Sequence, residues 1–192
     1  MRIIIGLGNP DKKYARNFHN MGFMTIDKVA EKLKIKFSLK SKLKGMIGQG
    51  NIGGEKFLLV KPLTYMNLSG ECVAAVLNYY KETPENALIV YDDLDISIGE
   101  MRYRNSGSAG THNGMKNIVA ETGSENFPRI RIGIKKYNDR IDTIDYVLSD
   151  IPEELLPDFV STTDRAASCA EDFLKGVSGE ELMQKYNGKA SR

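Results

Sequence analysis

Short apolar runs alternate with amphipathic segments along the chain, and this alternation constrains the fold more than any other feature of the sequence. Runs rich in β-branched residues indicate buried strands at 3–7, 87–91 and 130–134. Apolar residues at helical spacing predict helices at 21–33 and 67–81. Strands that alternate with helices are typical of α/β proteins. We therefore expect an α/β fold in which helices flank a mixed, mostly parallel β-sheet.

One segment interrupts this alternation. Residues 46–52 and 56–61 are strand-like, and they are joined by Gly53 and Gly54, which readily adopt the positive φ angles of a two-residue turn. The sequence therefore predicts an inserted β-hairpin. The basic stretch before the hairpin, residues 34–45, is interpreted as a solvated loop or a sheet edge.

The remaining pattern fits a single domain spanning residues 1–192. It adds a half-exposed strand at 101–104 and a long helix at 152–175, without a repeat or a linker. Cys72 and Cys169 fit no metal-ligand spacing, so they are interpreted as free thiols in a reducing compartment. No run approaches the roughly 18 apolar residues of a membrane span, and the first residues lack a signal-peptide pattern. We expect a cytoplasmic protein.

The charge of the whole chain does not by itself predict a nucleic-acid binder. The formal net charge is only +2, so any basic surface must come from local clusters. The pairs Arg102 with Arg104 and Arg129 with Arg131 have a period of two, which places each pair on one face of a strand. The other interpretation is a solvated or salt-bridged sheet face. Lys116 is a weaker candidate for RNA contact.

Two histidines, each followed by asparagine, are the first candidates for chemistry: His19-Asn20 and His112-Asn113. An isolated histidine is more often a structural or surface residue than a catalyst. However, ligand sites collect beyond the strand ends of α/β sheets, and Asp92 follows a predicted strand. A carboxylate beside an imidazole fixes its tautomer and stabilises its protonated form. We therefore interpret His19 as a general base oriented by Asp92, with water attacking an ester directly.

Other chemistries were weighed against this one. The chain has no Gly-x-Ser-x-Gly elbow, so a covalent intermediate is unsupported. The aspartates at 92, 93 and 95 are a possible Mg²⁺ site, but an extended backbone points Asp92 away from the other two. Gly6-Leu7-Gly8 lacks the third glycine of a dinucleotide fingerprint, which is replaced by Asp11. We expect neither a metal nor a cofactor.

Five motifs occur in order along the chain, between residues 6 and 134. They are Gly6-Leu7-Gly8-Asn9-Pro10 with His19-Asn20-Met21-Gly22, the run from Pro62 to Gly70, Asp92-Asp93-Leu94-Asp95, Gly107-Ser108-Ala109-Gly110 with His112-Asn113-Gly114, and the run from Arg129 to Ile134. In this order they resemble the bacterial-type peptidyl-tRNA hydrolase family. The resemblance implies an enzyme that cleaves the ester between a peptide and the 3′ ribose of tRNA, and so recycles tRNA from peptidyl-tRNA released by the ribosome.

The resemblance also implies roles for individual residues. His19 takes the position of the general base, Asp92 that of its orienting acid, and Asn9 that of the residue that distinguishes N-blocked peptidyl-tRNA from free aminoacyl-tRNA. The implied substrate-binding positions are Tyr14, Tyr65, Asn67 and Asn113, with Met66 and His112 lining the same crevice, and Arg104 and Arg131 as a clamp for the tRNA 5′ phosphate. Asparagine suits such a site, because its carboxamide can donate to an oxyanion and accept from a peptide N–H. The alternative for each asparagine is a turn or a helix cap.

The chain departs from the family pattern at three places that flank the site: Asn17-Phe18, Asp11 and Thr111. We expect Asp11 and Thr111 to alter loop geometry or access, and Phe18 to remove a cation beside His19. The main rival function is a relative that kept the RNA-binding surface but became a non-catalytic RNA-binding protein or splicing adaptor. A nucleotide- or metal-dependent enzyme is a third alternative. We expect a monomer that binds tRNA but neither DNA nor a membrane.

Overall fold

The computed structural model describes residues 1–136 and 140–189. The described residues form eight strands and six α-helices. The strands are β1 (Arg2–Gly6), β2 (Phe37–Lys40), β3 (Gly45–Ile52), β4 (Glu55–Pro62), β5 (Ala87–Asp93), β6 (Glu100–Arg104), β7 (Arg129–Gly133) and β8 (Gly188–Lys189). The helices are α1 (Met21–Lys32), α2 (Ser69–Tyr80), α3 (Asn113–Thr122), α4 (Thr143–Val147), α5 (Leu156–Lys175) and α6 (Gly179–Tyr186).

All eight strands belong to one sheet, with the order β2-β3-β4-β1-β5-β7-β6-β8. The central strands β4, β1, β5 and β7 are parallel, and antiparallel pairs flank them on both sides. Only β3 and β6, among the described strands, run against the common direction. The expected α/β fold with a mixed, mostly parallel sheet is therefore confirmed. The inserted hairpin is confirmed as β3 and β4, whose turn has φ angles of 59° at Gly53 and 89° at Gly54.

Helices cover both faces of the sheet because its central strands are apolar on both sides. In β1, Ile4 faces one hydrophobic cluster, while Ile3 and Ile5 face the other, and all three are fully buried. Helices α1 and α5 pack on the Ile4 side, and α2 and α3 pack on the opposite side. Within the described residues, none of the helices combines the length and the apolar character that crossing a membrane requires.

The structure corrects several element boundaries. The predicted helix at 67–81 begins with a 3₁₀ turn, Met66–Leu68, and neither Asn67 nor Ser69 caps α2 with its side chain. Instead, the Ser69 hydroxyl donates to the carbonyl of Met66. Part of the basic stretch forms the edge strand β2, whose one lysine, Lys40, is exposed. Helix α4 lies in a segment for which the sequence pattern predicted no element.

Candidate active site

The candidate base comes from the connection between β1 and α1, and its carboxylate from the carboxyl end of β5, the strand beside β1. His19 lies in the 3₁₀ turn Phe18–Asn20, which leads directly into α1, and Asp92 is near the carboxyl end of β5. The Nδ1 atom of His19 is 3.0 Å from Oδ1 and 2.9 Å from Oδ2 of Asp92. Asp92 is 2% exposed. The structure thus brings together the two residues that the sequence predicted as base and orienting acid.

The second histidine reaches the same carboxylate. His112 is the N-cap of α3, and its Nε2 atom is 3.3 Å from Oδ1 of Asp92. The rings of His19 and His112 have centroids 5.0 Å apart and are tilted by 56°. The Asp92 carboxylate is therefore shared by two imidazoles, one from the loop before α1 and one from the start of α3.

The electrostatics of the pair favour an ion pair when His19 is protonated. Burial by itself would lower the pKa of His19, but the charge of Asp92 and the hydrogen bond to it raise this pKa above its ordinary value. Burial by itself would raise the pKa of Asp92, but the interactions with His19 and His112 lower it well below the usual range. Asp92 is therefore ionised at neutral pH and stabilises the imidazolium form of His19.

Asn9 is held rigidly on the loop after β1. Its backbone N–H donates to Oδ1 of Asn20, and its backbone carbonyl accepts from Nδ2 of Asn20. Its side-chain Oδ1 accepts from the backbone N–H of Met66 at 2.9 Å. Among the described residues none accepts a hydrogen bond from its Nδ2, so this N–H group is available to a ligand. Asn9 is thus fixed on both sides as an oriented donor.

A cavity of about 460 Å³ opens beside the two histidines. The Gly/Ser loop, residues 106–111, forms one wall, and Thr143, Ile144 and Val147 of α4 form another. The predicted site residues that line it are His19, Asp92, His112, Asn113, Arg104 and Arg131. Its walls combine imidazole, carboxamide and guanidinium groups with a small apolar patch.

Three of the four arginines of β6 and β7 have different environments. Arg131 Nε is 2.6 Å from Oδ2 of Asp93, so its charge is paired. The guanidinium of Arg104 donates to the carbonyl of Tyr103 and lies on the cavity wall. Arg129 is only 2% exposed, which corrects the expectation that it forms an RNA-facing pair with Arg131. It donates to three backbone carbonyls, those of Ser108, Glu125 and Phe127.

The other predicted contact residues lie outside this cavity. Met66 is linked to the site through Asn9, while Tyr65 and Asn67 are exposed beside it. A Cβ atom at Gly114 would lie 2.7 Å from Sδ of Met66, so the glycine lets α3 approach the Met66 side chain closely. Tyr14 is half-buried and contacts the Lys13 ammonium, and Lys116 is exposed.

The departures from the family pattern have visible structural consequences. The Tyr65 hydroxyl donates to Asp11, which ties the loop after β1 to the loop after β4. Phe18 lies in the core, stacked on Tyr146 with ring centroids 4.5 Å apart. The Asn17 amide donates to the carbonyl of Leu148. Both residues therefore help to dock the α4 segment. Thr111 is exposed on the cavity wall.

Two sets of side chains carry donor atoms of the kinds that bind metal ions. Ligand atoms of His19, Asp92 and His112 lie within 4.8 Å of one another, a spacing and donor set that a zinc-like ion could use. In the structure, however, hydrogen bonds already join the three groups. The aspartates proposed for Mg²⁺ do not share a centre, because Asp92 contacts the histidines, and Asp93 pairs with Arg131 and accepts from the backbone of Asp95.

Sequence reasoning missed two contributors to the site. Asn20 follows His19 directly, and no sequence pattern indicates its role, although it fixes the backbone of Asn9. The α4 wall was missed because α4 has only five residues, which is too short for a periodic signal. Its one local cue is Asp142, which caps α4 by accepting from the N–H of Ile144.

The fold and the site define an α/β protein with a histidine–aspartate pair of the kind that hydrolases use to activate water. A family model described as peptidyl-tRNA hydrolase matches residues 3–192. The chain belongs to the peptidyl-tRNA hydrolase family.

Individual relatives agree with this assignment. The chain is 46% identical to a peptidyl-tRNA hydrolase of Listeria welshimeri over 187 residues, covering 97% of this chain and 100% of the relative. It is also 46% identical to a peptidyl-tRNA hydrolase of Alkaliphilus oremlandii over 189 residues, covering 98% and 100%. The crystal structure of peptidyl-tRNA hydrolase from Acinetobacter baumannii superposes with a TM-score of 0.90 at 34% identity, covering 97% of this chain and 96% of that chain.

Proposed function

We propose that this protein hydrolyses the ester bond between a peptide and the 3′ ribose of tRNA, with His19 as the general base. The observation that carries this assignment is the contact of His19 Nδ1 with the buried carboxylate of Asp92. Since Nδ1 is bound there, Nε2 is the nitrogen that can take a proton from water. His19 also lines the cavity, where an ester can be bound.

The reaction balances without a covalent intermediate. Nε2 of His19 accepts a proton as the water oxygen bonds to the ester carbonyl carbon. The resulting tetrahedral intermediate then breaks its bond to the ribose 3′ oxygen, which receives that proton from His19. Asn113, on the cavity wall, is suited to donate to the oxyanion. The products are a peptide carboxylate and tRNA with a free 3′ hydroxyl.

Neighbouring groups suit the two ends of such a substrate. The free Nδ2–H of Asn9 can donate to the acyl carbonyl of an N-blocked residue, which a free amino group does not offer. Tyr14 follows Asn9 on the loop after β1, and Tyr65, Met66 and Asn67 lie on the loop after β4 that Asn9 binds; these residues would contact the peptide. Arg104 and Arg131 on the cavity wall supply cations for a tRNA phosphate.

The enzyme is favoured over a non-catalytic RNA-binding relative. The family model and the relatives are named as hydrolases, and the site contains a base oriented by a buried carboxylate, which RNA binding alone does not need. We further propose that the protein acts in the cytoplasm, since its substrate arises during translation. We also propose that it acts as a monomer.

The proposal is tested by comparing cleavage of N-acetyl-aminoacyl-tRNA with that of unblocked aminoacyl-tRNA in the presence of EDTA. We expect rapid release from the blocked substrate alone. His19→Ala should lower turnover by roughly 10²–10⁴-fold, because general-base catalysis typically contributes that much, while binding of uncharged tRNA persists. Binding without cleavage by the unaltered protein would instead identify an RNA-binding relative. Loss of activity in EDTA would indicate a metal-dependent enzyme.

A further inference from the structure

The hydrogen bonds of His112 determine which of its nitrogens carries a proton. Its Nδ1 accepts from the backbone N–H of Met115 at 3.2 Å, as the N-cap of α3. An accepting Nδ1 carries no proton, so the proton of the neutral ring is on Nε2. This Nε2–H points at Oδ1 of Asp92 and donates to it.

The Asp92 carboxylate therefore accepts from two different imidazoles. Nδ1 of His19 contacts both of its oxygens, and His112 contacts Oδ1. Each hydrogen bond to a buried carboxylate stabilises its charge and lowers its ability to attract a further proton. The hydrogen bond from His112 thus reduces how strongly Asp92 stabilises the protonated form of His19.

We propose that His112 is a positioning residue for the hydrolysis: its Nε2–H orients the Asp92 carboxylate and shares its charge, which keeps His19 available as an unprotonated base near neutral pH. This rests on the proposed role of His19 as the base. Without His112, Asp92 would hold the imidazolium form of His19 more strongly, and the enzyme would need a higher pH for full activity.

The other charged and titratable groups around His19 do not take this role. Along the same cavity, Asp93 is paired with Arg131, and Arg129 is bound to backbone carbonyls. Within the described residues, the other groups on the packed elements and loops are Tyr91 of β5, Asp95 after β5, Arg104 of β6, Lys116 of α3, Asp145 of α4 and Asp11. None of these residues is changed in the variants described next, so their effect on the titration of His19 is the same in each variant.

Two substitutions separate the two hydrogen bonds of His112. In His112→Asn, the amide oxygen can replace Nδ1 and cap α3, but the side chain is too short to reach Asp92. In His112→Gln, the amide nitrogen can replace Nε2 and donate to Asp92. Asparagine is among the best N-cap residues, so the first variant should fold. His112→Ser also retains a cap and repeats the loss of the Asp92 bond.

The direct measurement is the NMR titration of His19 in the free protein. The chain has two histidines, so His19 is the only imidazole in each variant and its signal is unambiguous. We expect His19 to titrate at higher pH in His112→Asn and His112→Ser than in the unaltered protein, and at an unchanged pH in His112→Gln. The proposal would be overturned if His19 titrated at an unchanged pH in His112→Asn and His112→Ser. It would also be overturned if the titration of His19 shifted by the same amount in all three variants.

The kinetic measurement is the pH profile of kcat/KM. In His112→Asn the ratio of kcat/KM at pH 8 to that at pH 6 should rise by roughly threefold or more, because hydrogen bonds to charged groups are the stronger ones. In His112→Gln this ratio should stay as in the unaltered protein. A lower rate with an unchanged ratio in both variants would show a merely structural role. The titration needs no substrate, so it tests this proposal even if the hydrolase activity itself is not found.

Discussion

At the scale of single residues, hydrogen bonds decide which atoms remain free to react. Nδ1 of His19 is bound to Asp92, which leaves Nε2 for the proton of water. Oδ1 of Asn9 is bound to the N–H of Met66, which leaves its Nδ2 as a donor. In both side chains a fixed partner on one atom determines the orientation of the other. Such fixed orientation is what lowers the reorganisation needed during the reaction.

The pH dependence of activity follows from the same contact. Only unprotonated His19 can act as a base, and Asp92 raises its pKa above the ordinary 6.5. We therefore expect the acid limb of kcat/KM to have its midpoint above pH 6.5. Asp92→Asn removes the charge, so this midpoint should fall while the maximal rate drops by roughly 10²-fold or more. The measurement is kcat/KM across pH 5–9 for both proteins; a midpoint that does not fall in Asp92→Asn would contradict the ion-pair assignment.

The sequence was sufficient to predict that His19 and Asp92 lie together, but not all of their contacts. His19 and Asp92 follow strands that are predictable from apolar runs, and the carboxyl ends of parallel strands meet at one edge of the sheet. The contact between His112 and Asp92 depends on how the Gly/Ser loop returns to the sheet, which no periodic pattern encodes. The burial of Arg129 was also missed, because the period-two rule gives the face of a strand but not what covers that face.

At the scale of secondary-structure elements, Arg129 anchors the Gly/Ser loop to the sheet. It donates to carbonyls on both sides of α3, those of Ser108 before the helix and of Glu125 and Phe127 after it. The cavity wall and the cap residue His112 are therefore held from β7. The buried guanidinium of Arg129 thus binds backbone carbonyls on both sides of α3.

We expect Arg129→Met to destabilise the protein by about 2–4 kcal/mol, because three carbonyls lose their donor while one buried charge is removed. The matched control is Arg102→Met, on the neighbouring strand, whose exposed side chain should change stability by no more than about 0.5 kcal/mol. Urea unfolding of both variants measures this difference. Equal stability of the two would show that the loop does not depend on Arg129.

The elements themselves were predictable where they were long or strongly patterned. Strands β1, β3, β4, β5 and β7 and helices α1 and α5 were expected within a few residues of their observed bounds. Helix α4 and strand β8 have five and two residues, and such short elements exist only through tertiary contacts. The stacking of Phe18 on Tyr146 is one such contact, and it joins residues that are far apart in the sequence.

At the scale of the whole molecule, the net charge of +2 is too small to attract tRNA by itself. Exposed charges more than about 10 Å apart are largely screened at physiological salt. Binding of tRNA must then depend on the cations closest to the site. Arg104 forms no ion pair within residues 1–136 and 140–189, whereas Arg131 is paired with Asp93. The two arginines should therefore contribute unequally.

This inequality predicts the salt dependence of tRNA binding. Arg104→Gln should weaken binding of uncharged tRNA and reduce the slope of log K against log salt concentration by about 1, because one phosphate contact is lost. Arg131→Gln should reduce the slope less, since Asp93 already neutralises part of its charge. Lys56→Gln removes the same charge from the amino-terminal end of β4, away from the site, and should leave the slope unchanged. Binding measured between about 50 and 200 mM salt would separate these cases. An equal change of slope in all three variants would mean that tRNA responds to total charge, so the local arrangement of arginines around the cavity would have no special role in binding.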